Sequence, residues 1–142
     1  MTQLRVLLVD DNAALRGALR VSLHAFGCAQ VIEAASVDRA LDVLASSTVD
    51  LVITDWKMKP RNGLDFVRSL RRPAGSPAPF VPVIMLSSYC DGARIAEACQ
   101  AGVDAFLVKP FTAASLASTM LEALNDNPVS RAEAGTRLAY AN

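Results

Sequence analysis

Residues 4–11 read LRVLLVDD, an apolar run that ends in two adjacent acids. A second apolar run, Leu51–Thr54, ends in Asp55 in the same way. Short, near-continuous apolar runs are typical of strands in a parallel sheet that is covered on both faces. Because the carboxyl ends of parallel strands open on one edge of a sheet, we expect Asp10, Asp11 and Asp55 to meet in one cleft.

Strand-like runs alternate with helix-like segments along the rest of the chain. Asn12 and Ser36 stand where the first two helices need an N-cap, and apolar residues follow at spacings of three and four. This alternation predicts an α/β fold, a doubly wound (βα)5 flavodoxin-like sandwich with a parallel sheet in the order 2-1-3-4-5. The predicted strands are Leu4–Val9, Ala29–Glu33, Leu51–Thr54, Val81–Leu86 and Ala105–Val108. In that order the first and third strands are neighbours, and ligands bind where the order reverses between them.

Size and composition predict one folded domain. The 142 residues are 52% hydrophobic, and 14 acids balance 14 bases, which gives no electrostatic case for nucleic acid or an anionic membrane. No apolar stretch approaches 18 residues, so we expect a cytoplasmic protein. The three cysteines lack CxxC spacing and are expected to be buried or half-buried thiols. Periodicity fades near the C-terminus, which predicts a domain over residues 1–126 and a tail or linker start over 127–142.

The acidic cluster requires a counter-charge, since three neighbouring carboxylates cannot all stay ionised without one. A hard divalent cation, Mg²⁺ or Mn²⁺, prefers oxygen ligands and would supply two positive charges. Lys109, which follows the last predicted strand, would supply a third positive charge. The net charge of the three carboxylates, the metal ion and the lysine would then be zero. This layout indicates a metal-assisted phosphoryl-transfer site.

Four motifs, in order along the chain, resemble the receiver domain of two-component response regulators, close to the stand-alone chemotaxis-type form. They are Asp10-Asp11, Asp55-Trp56-Lys57-Met58 with Gly63 eight residues after Asp55, Leu86-Ser87-Ser88, and Phe106-Leu107-Val108-Lys109-Pro110. The resemblance runs from about Leu4 to Asn125 and agrees with the fold predicted above.

The resemblance implies that Asp55 is the phosphoacceptor. It also implies the ligands of Mg²⁺, namely Asp10, Asp11, Asp55 and the backbone carbonyl of Lys57. A nearby divalent ion keeps a nucleophilic carboxylate ionised, which agrees with the role given to Asp55.

Five further roles follow from the same resemblance. Ser87 and Lys109 hold the phosphoryl oxygens, and Phe106 is the switch aromatic, although it lacks the hydroxyl of a tyrosine. Lys57 and Tyr89 occupy positions that tune the lifetime of the phosphorylated state. Tyr89 is bulky enough to shield the phosphoryl group, and Lys57 cannot orient a water as an amide can, so we expect slow dephosphorylation.

The implied function is that of a phosphoacceptor receiver in a two-component system or phosphorelay. A sensor histidine kinase or a histidine phosphotransfer protein would donate the phosphoryl group to Asp55. A changed surface on the fourth helix, fifth strand and fifth helix would then signal to a downstream protein. Such a chain is not an enzyme beyond catalysing its own phosphorylation and dephosphorylation. It binds no nucleic acid directly, and it is a monomer or a weak dimer.

Other classes of protein fit the residues less well. A haloacid-dehalogenase-type phosphatase needs an acid two residues after its nucleophile, where Lys57 stands. A flavin mononucleotide site needs a first loop that cradles phosphate, which Asp10 and Asp11 would repel. No GxGxxG or GxxxxGK motif is present. The alternative left open is a receiver-shaped interaction module that acts without phosphorylation.

Overall fold

The computed structural model of the chain describes residues 4–88 and 91–125. Its strands are β1 (Arg5–Val9), β2 (Gln30–Ala34), β3 (Leu51–Asp55), β4 (Val83–Ser87) and β5 (Ala105–Val108). The helices are α1 (Ala13–Ala25), α2 (Val37–Ser46), α3 (Gly63–Arg71), α4 (Gly92–Ala101) and α5 (Ala113–Leu124). Neighbouring strands are parallel and lie in the order β2-β1-β3-β4-β5, which confirms the predicted fold class and strand order.

Two strand ends differ from the sequence prediction in a way that bears on the site. β3 continues through Asp55, which pairs with Leu86, and β4 continues through Ser87, which pairs with Val108. Both polar residues therefore belong to the sheet and do not follow it in a loop. β4 also begins two residues later than predicted, because Pro82 has no N–H to donate to a ladder.

The sheet is covered on both faces. One core layer contains Leu7 and Val9 of β1 and is closed by α2, α3 and α4. The other contains Val6 and Leu8 and is closed by α1 and α5. Alternate residues of a strand point to opposite faces, so the run at residues 6–9 is apolar throughout because both faces are buried.

Local capping residues mark the helix boundaries, and two of them, Asn12 and Ser36, are the predicted ones. Asn12 and Ser36 cap α1 and α2 by accepting a hydrogen bond from the backbone amide three residues on. Thr112 and Ser115 form a capping box at the start of α5. Gly102 ends α4 with φ of 105°, a left-handed conformation that glycine adopts without strain.

Some of the predicted positions lie within the described residues and others lie outside them. Cys28 is buried and Cys99 is half-buried, as expected, whereas Cys90 and Tyr89 lie outside the described residues. The predicted tail over residues 127–142 lies outside them as well. None of the helices within 4–88 and 91–125 is long and apolar enough to cross a membrane.

Candidate functional site

The three acids singled out from the sequence lie together at the carboxyl edge of the sheet. Asp10 and Asp11 follow β1 and Asp55 ends β3, and these two strands are hydrogen-bonded neighbours. One carboxylate oxygen from each acid lies within 4.8 Å of the other two. Asp10 and Asp55 are buried, while Asp11 is exposed at the mouth of the cleft.

The carboxylate of Asp10 is the most constrained of the three. Its Oδ1 accepts a hydrogen bond of 2.9 Å from the amide of Asn12, whereas Oδ2 is buried without a hydrogen-bond partner among the described residues. Burial raises the pKa of Asp10, and the charges of Asp55 and Asp11 act in the same direction against the hydrogen bond from Asn12. A buried carboxylate oxygen is costly without a partner. A divalent cation would provide that partner, so the residues fit Mg²⁺ or Mn²⁺.

Lys109 provides a largely buried positive charge in the cleft. Its Nζ lies 2.8 Å from Oδ1 of Asp55, and both side chains are largely buried, which strengthens their charge-assisted hydrogen bond. The amide of Lys109 donates to the carbonyl of Ser87 at 2.8 Å, so β4 holds the lysine backbone in place. The cleft around this ion pair is lined by Asp55, Trp56, Lys57, Ser87, Ser88 and Lys109.

The loop after Asp55 folds back tightly on the end of β3. The amide of Gly63 donates to the carbonyl of Trp56 at 2.8 Å. A Cβ at Gly63 would overlap the carbonyl oxygen of Asp55, so only glycine permits this close approach. Lys57 lies within the loop and is exposed at the rim of the cleft.

Phe106 reaches the site through an aromatic contact. It is half-buried on β5, and its ring meets that of Trp56 edge to face, with centroids 6.2 Å apart and planes at 76°. Trp56 directly follows Asp55, so the contact joins the acid cluster to the strand that carries Lys109. Sequence reasoning named both aromatics but did not predict their contact.

Arg16 is a site residue that sequence reasoning missed. Its Nη1 donates to the backbone carbonyl of Asp10, and its Nε lies 3.0 Å from Oε1 of Glu33. The sequence does not distinguish Arg16 from other polar residues of α1. Its partners, Glu33 of β2 and the Asp10 carbonyl after β1, lie in other parts of the fold.

Comparison with known proteins identifies the family. The protein-family model for the "Response regulator receiver domain" matches residues 6–121 of this chain. The chain therefore belongs to this family. Among its relatives, chemotaxis protein CheY-3 of Vibrio cholerae is 35% identical over 113 residues, which are 80% of this chain and 85% of the relative. Chemotaxis protein CheY of Pseudomonas aeruginosa is 36% identical over 110 residues, covering 78% of this chain and 87% of that protein.

Solved structures agree with this assignment. Chemotaxis protein CheY4 of Vibrio cholerae superimposes with a TM-score of 0.79 at 30% identity, over 86% of this chain and 99% of that one. A response regulator receiver protein from Pseudomonas putida gives a TM-score of 0.75 at 31% identity, over 84% and 97% of the two chains. The chain is therefore a receiver domain of the CheY type.

Proposed function

We propose that this receiver accepts a phosphoryl group on Asp55 from a sensor histidine kinase or a histidine phosphotransfer protein. The observation that carries the proposal is the setting of the Asp55 carboxylate. Its Oδ1 lies 2.8 Å from the amine of Lys109. One of its carboxylate oxygens lies within 4.8 Å of an oxygen from each of two further acids, Asp10 and Asp11. The proposed nucleophile Asp55, the ammonium group of Lys109 and the carboxylate oxygens that could bind a metal thus lie in one cleft. Phosphoryl transfer requires these three kinds of group together.

The metal would be held by Asp10, Asp11, Asp55 and the backbone carbonyl of Lys57. When bound, Mg²⁺ or Mn²⁺ offsets the charge that gathers on the phosphoryl oxygens. Support comes from Oδ2 of Asp10, which is buried and has no hydrogen-bond partner among the described residues.

The chain's own residues account for the rest of the transfer. A carboxylate oxygen of Asp55 attacks phosphorus, a P–O bond forms, and the P–N bond to the donor histidine breaks with its electron pair leaving on the imidazole nitrogen. The Lys109 amine and the Ser87 hydroxyl then hold phosphoryl oxygens, since both line the cleft at the ends of adjacent strands. Because these groups belong to strand ends, little reorganisation is needed during the reaction.

The output is a changed surface on α4, β5 and α5 that a downstream protein recognises. Phe106 supports this proposal, because it lies on β5 and contacts the neighbour of the phosphoacceptor. Without a hydroxyl, Phe106 would respond through ring packing and not through a hydrogen bond. The receiver would act in the cytoplasm as a monomer or weak dimer, without binding nucleic acid directly.

Phosphorylation by acetyl phosphate in the presence of Mg²⁺ tests this function. The intact mass of the parent protein is expected to increase by one phosphoryl group, and Asp55→Asn is expected to show no increase. Asp42→Asn, which removes an exposed acid on α2, should behave as the parent does. A parent protein that stays unmodified would favour the alternative, an interaction module that acts without phosphorylation.

Removing one acid should separate metal binding from stability. Asp11→Ala is expected to abolish Mg²⁺ binding, yet to raise the stability of the metal-free protein by no more than about 1 kcal/mol, because repulsion within the cluster is relieved. Calorimetry and the emission of Trp56, the single tryptophan, report binding. A clear fall in the metal-free melting temperature would instead indicate that Asp11 chiefly stabilises the start of α1.

The lifetime of the phosphorylated state should depend on Lys57. This side chain is exposed at the rim of the cleft, where it can approach phosphoryl oxygens but cannot orient a water as an amide can. Lys57→Asn is therefore expected to lose phosphate faster than the parent in Mg²⁺, and Tyr89→Ala is expected to do the same by removing a shield. Equal or slower decay in both variants would remove the argument for a persistent signal.

A further inference from the structure

Arg16 joins three elements next to the acid cluster. It lies on α1, contacts Glu33 of β2 through Nε at 3.0 Å, and donates from Nη1 to the carbonyl of Asp10 beyond β1. The side chain is only 15% exposed. A guanidinium presents its donors in a rigid fork, so these two contacts tie α1 both to the residue after β1 and to the adjacent strand β2.

The backbone of Asp10 makes one hydrogen bond to β2 and one to this arginine. The Asp10 amide donates to the carbonyl of Ala34 at 3.1 Å, but the ladder between β1 and β3 ends one residue earlier, at Val9 and Thr54. Arg16 satisfies the Asp10 carbonyl, as buried backbone acceptors require. The residue that carries the partnerless carboxylate oxygen is thus held at both its amide and its carbonyl.

We propose that Arg16 is a positioning residue for the metal site. By holding the Asp10 carbonyl, it sets the backbone from which the buried carboxylate reaches the other two acids. This inference rests on the proposed function, since it concerns the Mg²⁺ site of the same cleft. Glu33 takes part by orienting the guanidinium and by balancing its charge.

Geometry and charge make opposite predictions for this arginine. A positive charge beside the cluster disfavours a cation, so on charge alone the loss of Arg16 would tighten Mg²⁺ binding. If Arg16 holds the ligand in place, its loss weakens binding, as seen when outer partners of metal ligands are removed. The sign of the change therefore separates positioning from electrostatics.

The chain contains a matched control for the charge effect. Arg20 lies one turn further along α1 and pairs with the same glutamate, its Nη1 lying 3.4 Å from Oε2 of Glu33. Its side chain is 53% exposed, and within residues 4–88 and 91–125 its ion pair is with Glu33 alone. Arg20→Met removes the same charge from the same helix and leaves the contact between Arg16 and Asp10 in place.

Titration of each purified variant with Mg²⁺ alone, followed by calorimetry and Trp56 emission, tests the proposal. Arg16→Met is expected to raise the Kd for Mg²⁺ about tenfold, and Glu33→Gln about threefold. Arg16→Lys keeps the charge and one contact and should recover part of the affinity. Arg20→Met should bind as the parent does, or slightly more tightly. Circular dichroism establishes folding, and Arg16→Lys carries the comparison if the methionine variant does not fold, because it changes the contact and keeps the charge.

Three results would overturn the inference, and they differ in what they mean for the proposed function. If the parent binds Mg²⁺ and Arg16→Met binds equally or more tightly, positioning by Arg16 is wrong while the proposed function stands. If the parent binds no Mg²⁺ at all, the proposed metal site fails and the inference fails with it. Weakening by Arg20→Met equal to that by Arg16→Met would also overturn it, because the effect would then not depend on the contact between Arg16 and Asp10.

Discussion

Arg71→Met is expected to lower the free energy of unfolding by about 3–5 kcal/mol, the range found when one partner of a buried ion pair is removed. Arg71 Nη2 lies 3.0 Å from Oδ2 of Asp104, whose side chain is 0% exposed. The same guanidinium donates to the carbonyls of Gly102 and Pro79, each at 3.0 Å. The change would leave a buried carboxylate without its counter-charge and two carbonyls without these donors. Denaturant unfolding monitored by circular dichroism measures the loss.

Arg68→Met provides the control for this change. Arg68 is on the same helix, but it is 52% exposed, and its pairs with Asp65 and Glu97 are 3.8 and 3.6 Å long. Exposed pairs of this kind contribute less than about 1 kcal/mol, so Arg68→Met should be nearly neutral. Adding Asp104→Asn to Arg71→Met should recover part of the loss, because the buried charge is then gone. Equal effects of the two arginine changes would contradict this account.

Gly63→Ala is expected to cost about 2–3 kcal/mol of stability, the upper part of the range for overpacking, and to suppress phosphorylation of Asp55. The added Cβ would overlap the carbonyl oxygen of Asp55 and approach the Thr54 hydroxyl, so either β3 or the start of α3 must move. Movement at this point displaces the proposed phosphoacceptor from Lys109. The measurements are denaturant unfolding and the increase in intact mass with acetyl phosphate and Mg²⁺.

Gly17→Ala is the matched control for Gly63→Ala. Gly17 lies within α1, and a Cβ there would meet no atom within 4 Å. Alanine in a helix interior is favoured over glycine by about 0.8–1 kcal/mol, so this variant should gain stability and keep full phosphorylation. If Gly63→Ala is as stable as Gly17→Ala and is phosphorylated to the same extent, then the close approach of Gly63 to Asp55 is not required for stability or for phosphorylation.

Arg71→Met and Gly63→Ala act at opposite ends of the sheet. The amide of Val83, at the start of β4, donates to Oδ2 of Asp104 at 2.8 Å, so the ion pair with Arg71 ties α3 to the amino ends of β4 and β5. At the other ends of those strands, Ser87 is the last residue of β4 and Lys109 directly follows β5. A change at Arg71 is therefore expected to affect stability first, whereas a change at Gly63 acts directly beside the carboxylate.

Sequence alone determined the strand order and the meeting of the acids. Runs such as Leu51–Thr54 and caps such as Asn12 act over a few residues, so local chemistry suffices to recognise them. A parallel sheet then places all carboxyl ends on one edge, which brings Asp10 and Asp55 together without knowledge of any loop. The ends of β4 differ from the prediction, because at Pro82 and Ser87 hydrogen bonding to a neighbouring strand decides the boundary.

Tertiary structure alone decided the long-range contacts that hold the site and the opposite end of the sheet in place. Arg16 and Glu33 are 17 residues apart, and Arg71 and Asp104 are 33 apart. No periodicity links such positions, since each pair meets only after helices have packed on the sheet at particular distances. The edge contact of Trp56 with Phe106 has the same origin, because it spans two strand pairings. Local pattern determines which residues reach the carboxyl edge, whereas packing between distant segments determines how firmly each is held there.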